Sequence, residues 1–204
     1  MMKPLLVIGL LLSLTGCIVS PKQVHYYQFE DVTVTAKISG QGEQKLLLLA
    51  PVSLRGDLNN RGIISQLSVH EIRSANWNLW AESPSVMLSS TAQQQLQNIF
   101  VDRMVMKSLM GIPRANIAQV YELQIELDQF NAGLNYDAVI QGSWRLIKRG
   151  DKLQQSLVKI GYFSVNTPLQ GQGFEVLVGA LQQGWRQSIV QIGEAIAPLI
   201  KAQD

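Results

Sequence analysis

One cysteine, Cys17, and two histidines, His25 and His70, carry all the thiol and imidazole chemistry open to this chain of 204 residues. A tetrahedral metal centre needs several such ligands converging on one point. Neither histidine has a His-x-x-x-His partner, a cysteine ligand or a carboxylate pair at helical spacing beside it. Each therefore reads as a surface or satisfied structural histidine, and no metal is expected. Without a second thiol there is no disulfide. A serine nucleophile elbow needs a second glycine, which Gly142-Ser143-Trp144 lacks. Gly171-Gln172-Gly173 has neither the Lys-Ser/Thr ending of a phosphate loop nor the third glycine of a dinucleotide fingerprint. Glu122, Glu126 and Asp128 alternate along one strand-like segment, where ligands spread apart instead of converging on calcium. They read as a solvated face. The chain is not expected to be an enzyme or to hold a cofactor.

Cys17 is informative by position. Lys3 precedes the apolar run Leu5-Leu6-Val7-Ile8-Gly9-Leu10-Leu11-Leu12, and Leu14-Thr15-Gly16-Cys17 follows it. This is the pattern of a secretory signal. It is too short for a bilayer-spanning helix, which takes about 20 apolar residues. The Leu-Thr-Gly-Cys order resembles the lipobox of bacterial lipoproteins. That resemblance implies a diacylglycerol thioether on Cys17, cleavage before it and acylation (palmitate or a similar chain) of the freed amine. Each buried methylene contributes about 0.8 kcal/mol, so several chains on one residue make a lasting anchor. Ile18 stands where an aspartate would mark retention at the inner membrane, so the resemblance implies the outer membrane, on its periplasmic side. Residues 1–16 are thus expected to be a signal peptide, 17–24 a lipidated tether and 25–204 a single periplasmic domain.

The remaining composition suits one packed globule, with 47% hydrophobic residues. Seventeen Lys and Arg against fifteen Asp and Glu, with no basic block, give no case for nucleic acid.

The elements that must position any site follow from periodicity. Alternation over Tyr26 to Ile38 (Val32, Val34 and Ala36 against Thr33, Thr35 and Lys37) predicts a strand, ended by Gly40-Gln41-Gly42. Leu46 to Val52 is a continuous apolar run, predicting a buried strand. Arg55 to Gly62 reads as a loop, and Ile63 to Ser74 as one or two strands. Pro84 precedes a helix from about Ser85 to Leu109, with Val86, Ala92, Leu96, Ile99, Phe100, Val101 and Met104 inward. Its polar residues, Gln93, Gln94, Gln97, Asp102 and Arg103, lie mostly elsewhere, and Gly111 and Pro113 stop it. Strands around Tyr121 to Asp128, Tyr136 to Lys148 and Leu153 to Val165 form a meander turned at Asn131-Ala132-Gly133 and Gly150-Asp151. A helix from about Gly173 to Lys201 closes the domain. Its glycines, Gly173, Gly179, Gly184 and Gly193, either permit close packing or mark a late start. The sum is an α+β fold: a mainly antiparallel sheet with two long helices on one face, in the order strands, helix, three-strand meander, helix.

Trp77 and Trp80 lie just ahead of the first helix. Such rings either pin the connection to the core or stand exposed as contacts for a partner or lipid.

Several segments together resemble the ABC-type transport auxiliary lipoprotein family, of the paraquat-inducible protein C type. They are Tyr26-Tyr27, Leu49-Ala50-Pro51-Val52, His70-Glu71-Ile72-Arg73 leading to Trp80-Ala81-Glu82-Ser83-Pro84, Tyr121-Glu122-Leu123-Gln124-Ile125, Phe130 and Gly142-Ser143-Trp144. The resemblance implies a docking part of a lipid transport system at the outer membrane. Its implied partners are a mammalian-cell-entry-domain protein and further copies of itself in a ring, and its implied role includes envelope integrity. Two alternatives stay open: a carrier holding lipid between helices and sheet, and a structural envelope lipoprotein with an unrelated partner.

Overall fold

The computed structural model describes residues 22–35, 44–108, 117–150 and 154–202. Cys17, Gly40-Gln41-Gly42, Gly111 and Pro113 lie outside them. The strands are β1 (His25–Tyr27), β2 (Gln44–Leu49), β3 (Ser53–Leu54), β4 (Gly62–Ser68), β5 (Glu71–Trp80), β6 (Met104–Lys107), β7 (Ile117–Ala132), β8 (Asp137–Arg149) and β9 (Gln155–Pro168). The helices are α1 (Pro84–Ile99) and α2 (Phe174–Lys201).

β7 organises the sheet. Along one edge it pairs antiparallel with β8, which pairs antiparallel with β9, giving the expected meander. Its other edge is shared end to end by β2, β3 and β4, each parallel to it. β6 then lies parallel beyond β2, while β5 pairs antiparallel with β4 and carries β1 parallel on its far side. The sheet is therefore mixed, and the expectation of a mainly antiparallel sheet is corrected. The physical reason is the crossover: α1 lies between β2 and β6 in sequence, and a helical connection returns the chain to a parallel neighbour. Leu46–Leu49, buried at every position, carry the signature of such a doubly covered strand.

The expectation of two helices over one sheet is met. Tyr121, Leu123, Ile125 and Leu127 of β7 join Leu88, Ala92 and Leu96 of α1 and Leu181, Trp185, Ile189, Ile192 and Ile196 of α2 in one core cluster. Where the helices meet, the Trp185 indole N–H donates to Thr91 Oγ1 at 3.1 Å and to the Leu88 carbonyl at 3.3 Å. Two of the α2 glycines serve close packing. A Cβ on Gly184 would stand 2.9 Å from Thr167 Oγ1, and one on Gly193 would stand 2.8 Å from Ile99 Cδ1 of α1.

Two expected boundaries move, and polar residues of α1 explain both. The helix ends at Ile99, not near Leu109, because Gln97 closes a tight exit into β6. Its Nε2 donates to the carbonyls of Phe100 (3.0 Å) and Arg103 (3.1 Å), while its Oε1 accepts from Val105 N–H (2.9 Å). Gln93 donates to the Val105 carbonyl at 3.0 Å. Gln97 and Arg103, expected on a polar outer face, are buried in this turn. Of the strand expected over Tyr26 to Ile38, only Tyr26 and Tyr27 fall in β1; residues 28–35 form no strand, and 36–38 lie outside the described residues. Beyond β1, Val32 N–H donates to Gln94 Oε1 and Thr35 N–H to Asn98 Oδ1, each at 2.9 Å, and Asn98 Nδ2 donates to the Thr33 carbonyl. Helix amides thus satisfy the backbone groups that a neighbouring strand would otherwise take. Val52 is treated alike: its N–H donates to Ser89 Oγ at 2.9 Å and its carbonyl accepts from Ser85 Oγ at 2.6 Å.

Candidate functional site

The two tryptophans singled out from sequence part company. Both stand on β5, not in a loop. Trp80 is only 2% exposed and stacks on Phe130 (centroids 5.5 Å apart) with Phe29 edge-on to it at 5.7 Å. Its ring has no surface left for a partner, so it pins the chain to the core and is withdrawn as a contact residue. Trp77 is 43% exposed and keeps that possibility. It is also the one exposed indole, since Trp144 and Trp185 are buried with Trp80.

Both histidines are exposed, His25 on β1 and His70 in the turn between β4 and β5 instead of within a strand. Among the described residues no group of three or more His, Cys, Asp or Glu side chains is placed to hold a metal ion. The acidic row of β7 is matched by arginines. Arg55 reaches Asp128 at 3.0 Å and Glu126 at 3.5 Å, Arg145 reaches Glu126 at 3.7 Å, and Arg149 pairs with Glu122. Glu126 and Asp128 lie on a partly wet face as expected, whereas Glu122 is buried under Arg149. The row is a structural ion-pair ladder.

What periodicity did not single out is the difference between the sheet's free edges. β1 has three residues and is a short edge. The outer edge of β6 is met by Gln93 and Gln97, as above. β9 runs for fourteen residues and pairs, among the described residues, with β8 alone. Its outward side chains include Leu157, Ile160 and Tyr162, the last 83% exposed. The signal was present in the sequence: Leu157, Ile160 and Tyr162 add apolar residues to a strand whose inner set, Phe163 and Val165, already fills the core. A long, weakly charged edge of this kind is what natural sheets usually blunt. It holds one charge, Lys159. Gly161 fixes its fit against β8, because a Cβ there would stand 2.3 Å from the ring of Trp144.

The space between helices and sheet is filled, with Leu88, Leu96, Leu181, Trp185, Ile189 and Ile192 sealed from solvent. A cleft of about 120 Å³ opens between α1 and the β2–β6 edge, flanked by Leu49, Ser85, Val86 and Lys107, and two more lie away from the helices. One of about 240 Å³ is flanked by Arg55, Ile64, Ile72 and Asp128, and one of about 160 Å³ by Pro51, Gln124, Glu126 and Arg145. All three are below the roughly 300–1,000 Å³ of ordinary ligand pockets. Among the described residues no helix is long and apolar enough to cross a membrane.

Comparisons with known proteins agree with this architecture. Two crystal structures share the fold. One is described only as an uncharacterized protein, with 22% identity, a TM-score of 0.69, and 86% of this chain and 99% of that chain covered. The other is a protein of Xanthomonas campestris assigned to the family DUF330, with 17% identity, a TM-score of 0.70, and 88% and 98% covered. No curated protein matches. The family model described as the ABC-type transport auxiliary lipoprotein component matches residues 27–193, which run from β1 into the last turns of α2. The chain belongs to the ABC-type transport auxiliary lipoprotein family.

Proposed function

We propose that this protein is an outer-membrane lipoprotein, held by acyl chains on Cys17 with its domain in the periplasm. In this reading it docks the periplasmic, mammalian-cell-entry-domain component of a lipid transport system and so supports envelope integrity. The observation that carries the reading is the open edge of β9. A fourteen-residue strand paired, among the described residues, on one side alone can accept an extended segment of a partner, main-chain hydrogen bonds giving affinity and Leu157, Ile160 and Tyr162 giving contact area. The domain offers docking surface but a closed core. That combination favours docking over carriage of a lipid between helices and sheet, because a phospholipid there would have to displace side chains packed at interior density.

The test is co-purification from detergent-solubilised envelopes of the organism that makes the protein. The tagged, acylated wild type is expected to bring down a mammalian-cell-entry-domain protein, and a double variant Ile160→Lys, Tyr162→Asp is expected to lose it while still fractionating with the outer membrane. Recovery of phospholipid in stoichiometric amount with no protein partner would support the carrier instead. Recovery of an unrelated envelope protein would support the structural reading.

A further inference from the structure

β1 enters the sheet beside β5 from the end at which the hairpin β4–β5 turns. β1 is parallel to β5, with His25 opposite Asn78 and Tyr26 opposite Leu79. Extending that register by one residue brings Val24 level with Trp77. Going backwards from Tyr27 to His25 therefore means going toward the start of β5, next to the hairpin turn at Val69-His70; residues 17–21 lie outside the described residues. The lengths match as well. From Val24 to Cys17 is seven residues, a reach of about 25 Å at full extension. From Trp77 to His70 is also seven residues, about 23 Å at strand rise.

The end of this arm is bare. Every residue from Leu67 to Arg73 is exposed. Three of them are large and apolar: Leu67, Val69 and Ile72, with Val69 74% exposed. Trp77 stands further back on β5, and Lys22 and Arg73 are exposed cations, Arg73 lying 3.9 Å from the exposed Glu71 of the same hairpin. Apolar residues at a tip, an indole behind them and flanking cations are the order in which a membrane surface sorts side chains. The apolar ones reach the acyl boundary, Trp the headgroup level, and Lys or Arg the phosphates.

We infer that the β4–β5 hairpin is a second membrane contact, in which Leu67, Val69 and Ile72 dip into the phospholipid leaflet that holds Cys17 and Trp77 rests at its headgroups. The inference relies on lipidation of Cys17, which sets the distance between leaflet and domain. A single tether leaves the domain free to tumble. A second contact fixes its orientation and so points the rest of the domain, including the β9 edge, away from the membrane in a constant direction.

Trp77 supplies its own probe, being the exposed indole among buried ones. The acylated full-length protein is reconstituted into vesicles of phosphatidylethanolamine and phosphatidylglycerol, with or without bromine on the upper acyl chain. Brominated lipid is expected to quench the Trp77 share of emission in the wild type and to leave Trp77→Phe unquenched. In the Trp77→Phe background, Val69→Trp is expected to restore quenching to a greater extent than Trp77 shows. Co-sedimentation with the vesicles reports the anchor separately. Retained co-sedimentation with no quenching at position 77 or 69 would overturn the inference and leave the anchor standing. Loss of co-sedimentation would remove the anchor and the inference with it.

Discussion

Gln97 of α1 binds Val105 of β6 across the point where the helix gives way to the strand, its Oε1 accepting the Val105 N–H at 2.9 Å. With Gln93 on the Val105 carbonyl, one residue of an edge strand has its outward polar groups met by a helix. That contact blunts one edge of the sheet and, among the described residues, leaves β9 as the long edge paired on one side alone. It also explains why the helix stops where it does.

Removal of the Gln97 side chain would orphan two buried carbonyls and one buried N–H together. Each unsatisfied group costs about 1–3 kcal/mol. Gln97→Ala is expected to lower unfolding stability by about 3 kcal/mol in urea titrations. Gln97→Glu is expected to be no better, since a carboxylate cannot donate to the carbonyls of Phe100 and Arg103. A loss below 1 kcal/mol in both variants would show that the turn holds itself.

The two tryptophans of β5 should separate in the same assay. Trp80→Ala removes a ring packed between Phe29 and Phe130, and loss of such a ring costs about 3–5 kcal/mol. Trp77→Ala is expected to cost about 1 kcal/mol or less, its ring being nearly half in solvent. Equal losses would contradict the division between core and surface drawn for them.

Two glycines of α2 should respond with opposite signs. Nothing lies within 4 Å of a Cβ at Gly179, so Gly179→Ala is expected to raise stability by up to about 1 kcal/mol through helix propensity. At Gly193 the new methyl meets Ile99, and Gly193→Ala is expected to cost about 1–3 kcal/mol by overpacking the helix crossing. Thermal melts of the two variants would show a rise and a fall. Two rises would mean that the helices can move apart without penalty.

Ion pairs of the β7 ladder differ in burial, and their removal should follow that difference. Arg149→Met leaves the buried Glu122 carboxylate without its cation and is expected to cost about 2 kcal/mol, less than a fully buried pair because Arg149 is one-third exposed. Arg145→Met, at a wetter pair, is expected to change stability by under about 0.5 kcal/mol. Urea titrations that ranked them the other way would show that the exposed end of the ladder carries the load.

Much of this fold can be read from the chain, and the failures have a common cause. The meander and α2 follow from alternation and helical spacing, because their hydrogen bonds run within a helix or to the next strand along. The parallel neighbours of β7 depend on where α1 returns the chain, which periodicity does not encode. The shortened β1 and the early end of α1 depend on side-chain amides that look like a solvated face in sequence: Gln94 and Asn98 bind backbone 62 and 63 residues earlier in the chain, and Gln97 binds the backbone of the turn that follows it. The Trp pair was legible as a choice between core and contact, and burial divides it. The apolar outer residues of β9, Leu157, Ile160 and Tyr162, were legible in the sequence, but that β9 is an edge was not, because only the sheet shows that, among the described residues, it pairs with β8 alone.

The central claim, that β9 receives the transport partner, is tested most directly by photo-crosslinking in intact cells. A photoreactive amino acid replaces Tyr162 in the acylated protein, and a second strain carries it at Glu194 on the exposed side of α2. The account predicts an adduct with a periplasmic mammalian-cell-entry-domain protein from position 162 and none from position 194. An adduct with that protein from position 194 alone, or no protein adduct from position 162, would contradict it.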